Sequence, residues 1–99
     1  MTTSVMYSDG TNNGKGMPGF ISRVPTSAEA TANSAALDFS ALGMAKVDGL
    51  PLVQVIDASG NENHSGLDVS VSGTTVTVAV TSLAATDTIT CFAVGNKNF

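Results

Sequence analysis

Charge is scarce in this chain. Asp, Glu, Lys and Arg make up 12% of its 99 residues, and the formal net charge is −4. Soluble domains carry about 25%. With four basic residues there are too few cations for the phosphate contacts that hold a protein on nucleic acid, so no nucleic-acid partner is expected. Cysteine is scarcer still: Cys91 stands alone, and no internal disulfide can staple the fold. Tryptophan is absent and Tyr7 is the single tyrosine, which leaves no flat aromatic platform for sugar stacking. No apolar run approaches the ~20 residues that span a bilayer as a helix, so no membrane partner is expected. The stretch Met1-Thr2-Thr3-Ser4-Val5-Met6-Tyr7-Ser8-Asp9 lacks the basic and apolar regions of a secretory signal. Synthesis and folding in a cytoplasm are expected.

Ser and Thr are abundant, at 23 together, followed by 12 Ala, 11 Val and 10 Gly. At this length one domain is the natural organisation. Residues 8–19, SDGTNNGKGMPG, are rich in Gly, Pro, Asn and Asp, which favour turns and irregular backbone. Residues 1–19 are therefore expected to be a flexible or extended N-terminal arm, and residues 20–99 the folded domain.

Within that domain the apolar residues alternate. Phe20-Ile21-Ser22-Arg23-Val24 suits a short strand closed by Pro25. Residues 26–36 carry two signals. Thr26-Ser27-Ala28-Glu29 fits a helix capping box, whereas Ala28, Ala30 and Ala32 recur at strand spacing. The β pattern of the remaining chain makes strand the expectation. Leu37, Phe39 and Ala41 would then share one strand face. Leu52-Val53-Gln54-Val55-Ile56, apolar on both faces, predicts a central strand.

The hairpin that follows is specified twice. Leu67, Val69 and Val71 alternate with Asp68, Ser70 and Ser72, and Val76, Val78 and Val80 alternate with threonines. A Gly73-Thr74 loop of type II′ pairs Ser72 with Thr75, Val71 with Val76, Val69 with Val78 and Leu67 with Val80. All three apolar pairs then fall on one face. The last strand, Thr88–Val94, carries Ile89, Cys91 and Ala93 on one face and Phe92 and Val94 on the other. Short strands separated by turn signals predict an all-β fold, a small antiparallel Ig-like β-sandwich. The second apolar face is unusual for such a fold. Either loops or the 1–19 arm cover that face, or another subunit buries it, and on the second reading Leu52, Gln54, Ile56, Phe92 and Val94 are the candidate interface residues.

Reaction chemistry is thin. Gly14-Lys15-Gly16-Met17-Pro18-Gly19 matches the glycine spacing of a dinucleotide loop, but a polar loop precedes it, Pro18 interrupts it and β-type sequence, not a helix, follows. Asp57, Ser59, Asn61 and Glu62 offer alternating oxygens, yet a calcium loop supplies 6–8 with several carboxylates. Asn63-His64-Ser65 has the glycosylation spacing without a secretory route. His64 beside Ser65 lacks a third group to orient a base, and Cys91 on an Ile/Ala face is expected to remain a protonated, buried thiol. Neither an enzyme nor a cofactor or metal site is expected.

From about Ser34 to Gly95 the sequence resembles small structural proteins of tailed bacteriophages. The resemblance is carried by Ala36-Leu37-Asp38-Phe39, by Val53-Gln54-Val55-Ile56-Asp57-Ala58-Ser59-Gly60-Asn61, by Val69-Ser70-Val71-Ser72-Gly73-Thr74-Thr75-Val76-Thr77-Val78, and by Asp87-Thr88-Ile89-Thr90-Cys91-Phe92-Ala93-Val94-Gly95. It implies a virion component of the capsid decoration (cement) type. Such a protein is made in the host cytoplasm, sits on the capsid surface as a homotrimer, and binds across subunits of the major capsid protein. The arm lies outside the resembling stretch, and Tyr7, Met17 and Phe20 are its candidate docking residues. A tail, neck or fibre-base subunit, or an Ig-like receptor- or glycan-binding module, is the alternative.

Overall fold

A computed structural model of the chain describes residues 5–8 and 17–96. These form two antiparallel sheets packed face to face. In chain order the elements are β1 (Val5–Ser8), β2 (Met17–Arg23), α1 (Ser27–Ala32), β3 (Ser34–Asp38), a 3-10 helix (Phe39–Leu42), β4 (Lys46–Ile56), β5 (Asp68–Ser72), β6 (Thr75–Ala79) and β7 (Thr88–Asn96). One sheet has four strands in the order β1-β2-β7-β4, the other three in the order β3-β6-β5. The all-β sandwich read from the alternation is therefore the observed fold. Its core forms where the inner faces meet: Ile21, Val47, Val55, Ile89, Cys91 and Ala93 from the larger sheet, and Ala35, Leu37, Val76 and Val78 from the smaller. Phe39, Met44, Val80 and Leu83 close the ends of this layer.

The β5–β6 hairpin adopts the register expected of it from Ser72–Thr75 to Asp68–Ala79. The expected Leu67–Val80 pair is not made, because the Leu67 amide turns to the His64 carbonyl and the Val80 amide to the Asn33 carbonyl. Ser72 pairs with Thr75, Val71 with Val76 and Val69 with Val78. Gly73 has φ +61, while Asn33 is the one non-glycine with positive φ among the described residues, so Thr74 is not. A type II′ turn needs this combination, and glycine supplies it without a Cβ penalty.

Three local expectations are corrected. Residues 27–32 form a helix, not a strand. Both halves of the capping box are made: the Thr26 hydroxyl accepts from the Glu29 amide, and the Glu29 carboxylate accepts from the Thr26 amide. Asn33 ends the helix in the left-handed conformation at φ 57. Alanine alternation was a poor strand signal because alanine is also the best helix former. Second, the strand through Leu37 stops at Asp38, whose carboxylate accepts from the Ser40 amide and starts the 3-10 turn. Phe39 is still fully buried. Third, β4 is an edge strand and not a central one. Gly49, Leu50 and Pro51 bulge opposite Ala93 between the Asp48–Val94 and Leu52–Phe92 pairs, and bulges and prolines belong at sheet edges.

The segment expected as an arm divides. Val5–Ser8 is hydrogen-bonded as β1 to β2, with Tyr7 in register with Phe20, and Met17–Gly19 is already part of β2. Residues 1–4 and 9–16 of that segment lie outside the described residues.

Candidate interface face

The outer face of the four-stranded sheet collects the residues that alternation set apart from the core. Along β7, Ile89, Cys91 and Ala93 point inward, so Phe92 and Val94 point outward, where they are 42% and 39% exposed. Leu52 on β4 lies directly across from Phe92 and is 74% exposed. Gln54 is exposed and Ile56 half-buried further along β4, opposite Thr90 and Thr88. On the other flank of β7, Phe20 of β2 pairs with Phe92, and Pro18 pairs with Val94. Phe20 and Pro18 are half-buried.

One end of this face is thus apolar across three strands, with a Phe–Phe cross-strand pair at its centre. Such a pair keeps two rings close enough to shield one another. The other end is polar, and there the hydroxyls of Ser22 and Thr90 share a hydrogen bond of 3.0 Å. Asp48, in register with Val94, is the one acid at the apolar end among the described residues. All five interface candidates are brought to one face. Phe20 and Pro18 join them through the pairing of β2 with β7, which no local pattern announced. Phe20, a docking candidate, sits within the sheet. Tyr7 is in register with Phe20, and Met17 with Gly95.

The residues with conceivable chemistry do not converge. Cys91 is fully buried, and burial pushes its thiol up to about 12. His64 is well exposed, with Nδ1 3.4 Å from an exposed Glu62 oxygen. The two share no cleft, so no thiol dyad is assembled. The Asp57 carboxylate is occupied by its own turn, where one oxygen accepts from the amides of Ser59 and Asn61, both at 2.9 Å. Among the described residues no group of three or more His, Cys, Asp or Glu side chains is placed to hold a metal ion. Asp87 is buried, and its carboxylate accepts from the Ala84 amide at 2.9 Å and from the Asn63 side chain at 3.1 Å. It organises the loop before β7. Among the described residues no helix is long and apolar enough to cross a membrane.

No protein-family model, no curated protein and no solved structure matches the chain.

Proposed function

We propose that this chain is a non-enzymatic structural protein of a virion that decorates and stabilises the capsid, with the apolar end of the four-stranded sheet's outer face as its docking surface on the major capsid protein. The observation that carries this reading is the exposure of Leu52, Phe92 and Val94 on one face of the sheet, with Leu52 directly across from Phe92 and Val94 two residues further along β7. Clustered apolar surface rimmed by polar groups marks a protein–protein contact. The low charge density supports it too, because burying a face with few ions carries little desolvation cost. The phage-like strand and turn motifs direct the choice of partner toward a capsid subunit.

The test is binding of the purified protein to expanded and unexpanded heads, with Leu52→Asp and Phe92→Ser as variants. Binding to expanded heads that falls at least about tenfold in either variant, roughly 1.4 kcal/mol, supports the proposal. Labelling confined to one vertex assigns the chain to the tail or neck instead. Binding to a glycan array without binding to heads assigns it to a receptor module.

A further inference from the structure

Sheet edges are where a β-sandwich is open to another chain, and this molecule treats its edges unequally. The edge of β3 is closed: the Ala36 amide donates to a Glu29 carboxylate oxygen, and the Ala36 carbonyl accepts from the Arg23 guanidinium. The edge of β4 is closed at both ends. The Val47 amide donates to the Gly73 carbonyl at 2.9 Å, and the Val55 carbonyl accepts from the Asn63 amide at 2.7 Å. Between them, Pro51 has no amide hydrogen and the bulge breaks the ladder.

Among the described residues, no hydrogen bond closes the edge of β5 in this way. Its ladder with β6 starts from the Ser72–Thr75 pair beside the two-residue turn. In an antiparallel ladder, residues alternately bond the partner strand and point away from it. Ser72, Ser70 and Asp68 therefore bond β6, while the amides and carbonyls of Val69 and Val71 face the open side. The apolar side chains of this strand are also incompletely covered. Val69 and Val71 are half-buried, whereas Val76 and Val78 on the central strand are buried, and Leu67 just before β5 is 38% exposed.

We propose that β5 pairs antiparallel with β5 of a second copy across a two-fold axis through Ser70, joining two three-stranded sheets into one of six strands. The edge is self-complementary in that register. Val69 of each copy exchanges both backbone hydrogen bonds with Val71 of the other. The half-buried valines meet across the axis, and Leu67 lies beside Gly73 of the second copy, where no side chain opposes it. Charge agrees with this register. Asp68 faces the Ser72 hydroxyl of the second copy, and the two Asp68 positions stand roughly 14 Å apart along the strands, at about 3.4 Å per residue. The association is two-fold, unlike the trimer implied by the phage resemblance, and it does not depend on the capsid-docking reading.

The register makes the test specific. Ser70 faces its own copy as a pair without hydrogen bonds, at about 4.5 Å between Cα atoms, close enough for a cross-strand disulfide. Under mild oxidation, Ser70→Cys is expected to give a covalent dimer at least about tenfold faster than Ser72→Cys, whose two copies are separated by the length of the strand. The buried Cys91 does not compete. Light scattering should show the unmodified chain dimerising below about 1 mM and Ser70→Lys remaining monomeric with unchanged thermal unfolding. Val71→Pro removes an outward amide and no bond to β6, and should also be monomeric. Equal cross-linking at positions 70 and 72, a monomer throughout that range, or oligomers indifferent to Ser70→Lys would overturn the proposal.

Discussion

The guanidinium of Arg23 and the carboxylate of Glu29 stand in for a missing strand. They meet as a two-pronged ion pair, with Nη1–Oε1 at 2.8 Å and Nη2–Oε2 at 2.9 Å. Together they satisfy both the amide and the carbonyl of Ala36 on the open side of β3. Arg23 ends β2 in one sheet while Ala36 belongs to the other, so the pair also ties the two sheets along one flank. Two parallel N–H···O bonds give such a pair a defined geometry that a lysine would not reproduce.

This pairing makes the fold acid-sensitive. The hydrogen bonds from Arg23, helped by those from the Thr26 and Ala36 amides, hold the Glu29 carboxyl down at about 2 against the burial that opposes them. Its folded value lies below the ordinary 4.5, so its contribution is complete above that pH and is lost as the pH falls toward 2. The shift corresponds to about 3 kcal/mol as an upper figure. Asp38, held low by its bonds from Ser40 and Thr74, acts in the same direction. Thermal unfolding followed from pH 6 to pH 2 should show a steep loss below about pH 4.5. Glu29→Gln should flatten that loss and lower stability at neutral pH, because it leaves the half-buried Arg23 charge unpaired.

At Gly95, β7 packs tightly against the start of β4. A Cβ at this position would run into the Lys46 carbonyl oxygen and lie 2.8 Å from the Met44 sulfur. The methionine can swing aside, but the carbonyl belongs to the backbone and cannot. Gly95→Ala should therefore cost about 1–3 kcal/mol, the range of an overpacked core, as read from urea denaturation. An unchanged midpoint would show that β4 can move away from β7 at its first residues.

Cys91 should be inert until the fold opens. Burial against Ile21 and Val53, its register neighbours in β2 and β4, keeps the thiol protonated, and only thiolate reacts rapidly. Labelling by a thiol reagent at pH 8 should follow global unfolding, reaching full extent only in denaturant. Cys91→Ser should cost about 1–3 kcal/mol, since it buries a hydroxyl where no partner has been provided.

Legibility in the sequence followed the range of the interactions. The β5–β6 hairpin was readable because a glycine-first turn and the Val/Ser–Thr alternation demand one register, and neither needs knowledge of distant residues. The inward Ile89–Cys91–Ala93 face was readable for the same reason. Helix α1 was missed although its capping box was visible: a six-residue element has little periodicity, and the alanines suited either structure. The edge position of β4 could not be read from Leu52–Ile56, because an exposed apolar face and a buried one have the same composition. Leu52, Phe92 and Val94 were grouped correctly by alternation. Phe20 and Pro18 joined them only through the order β2-β7-β4, a long-range fact. The ion pair on Ala36 was equally invisible, because it depends on how the two sheets close.

Two leucines give a direct measure of what the outer face contributes to folding. Leu37 and Leu52 are chemically identical, but Leu37 is 1% exposed in the core and Leu52 is 74% exposed beside Phe92. Leu37→Ala removes buried methyl groups and leaves a cavity between the sheets, at a cost of about 2–5 kcal/mol. Leu52→Ala removes atoms that already face solvent, so stability should change by no more than about 0.5 kcal/mol. If the face serves a partner, Leu52→Ala should instead appear in association, as weaker binding to the surface it docks on with an unchanged unfolding curve. Destabilisation by Leu52→Ala comparable to that of Leu37→Ala would mean that Leu52 supports the fold itself and would remove it from the docking surface.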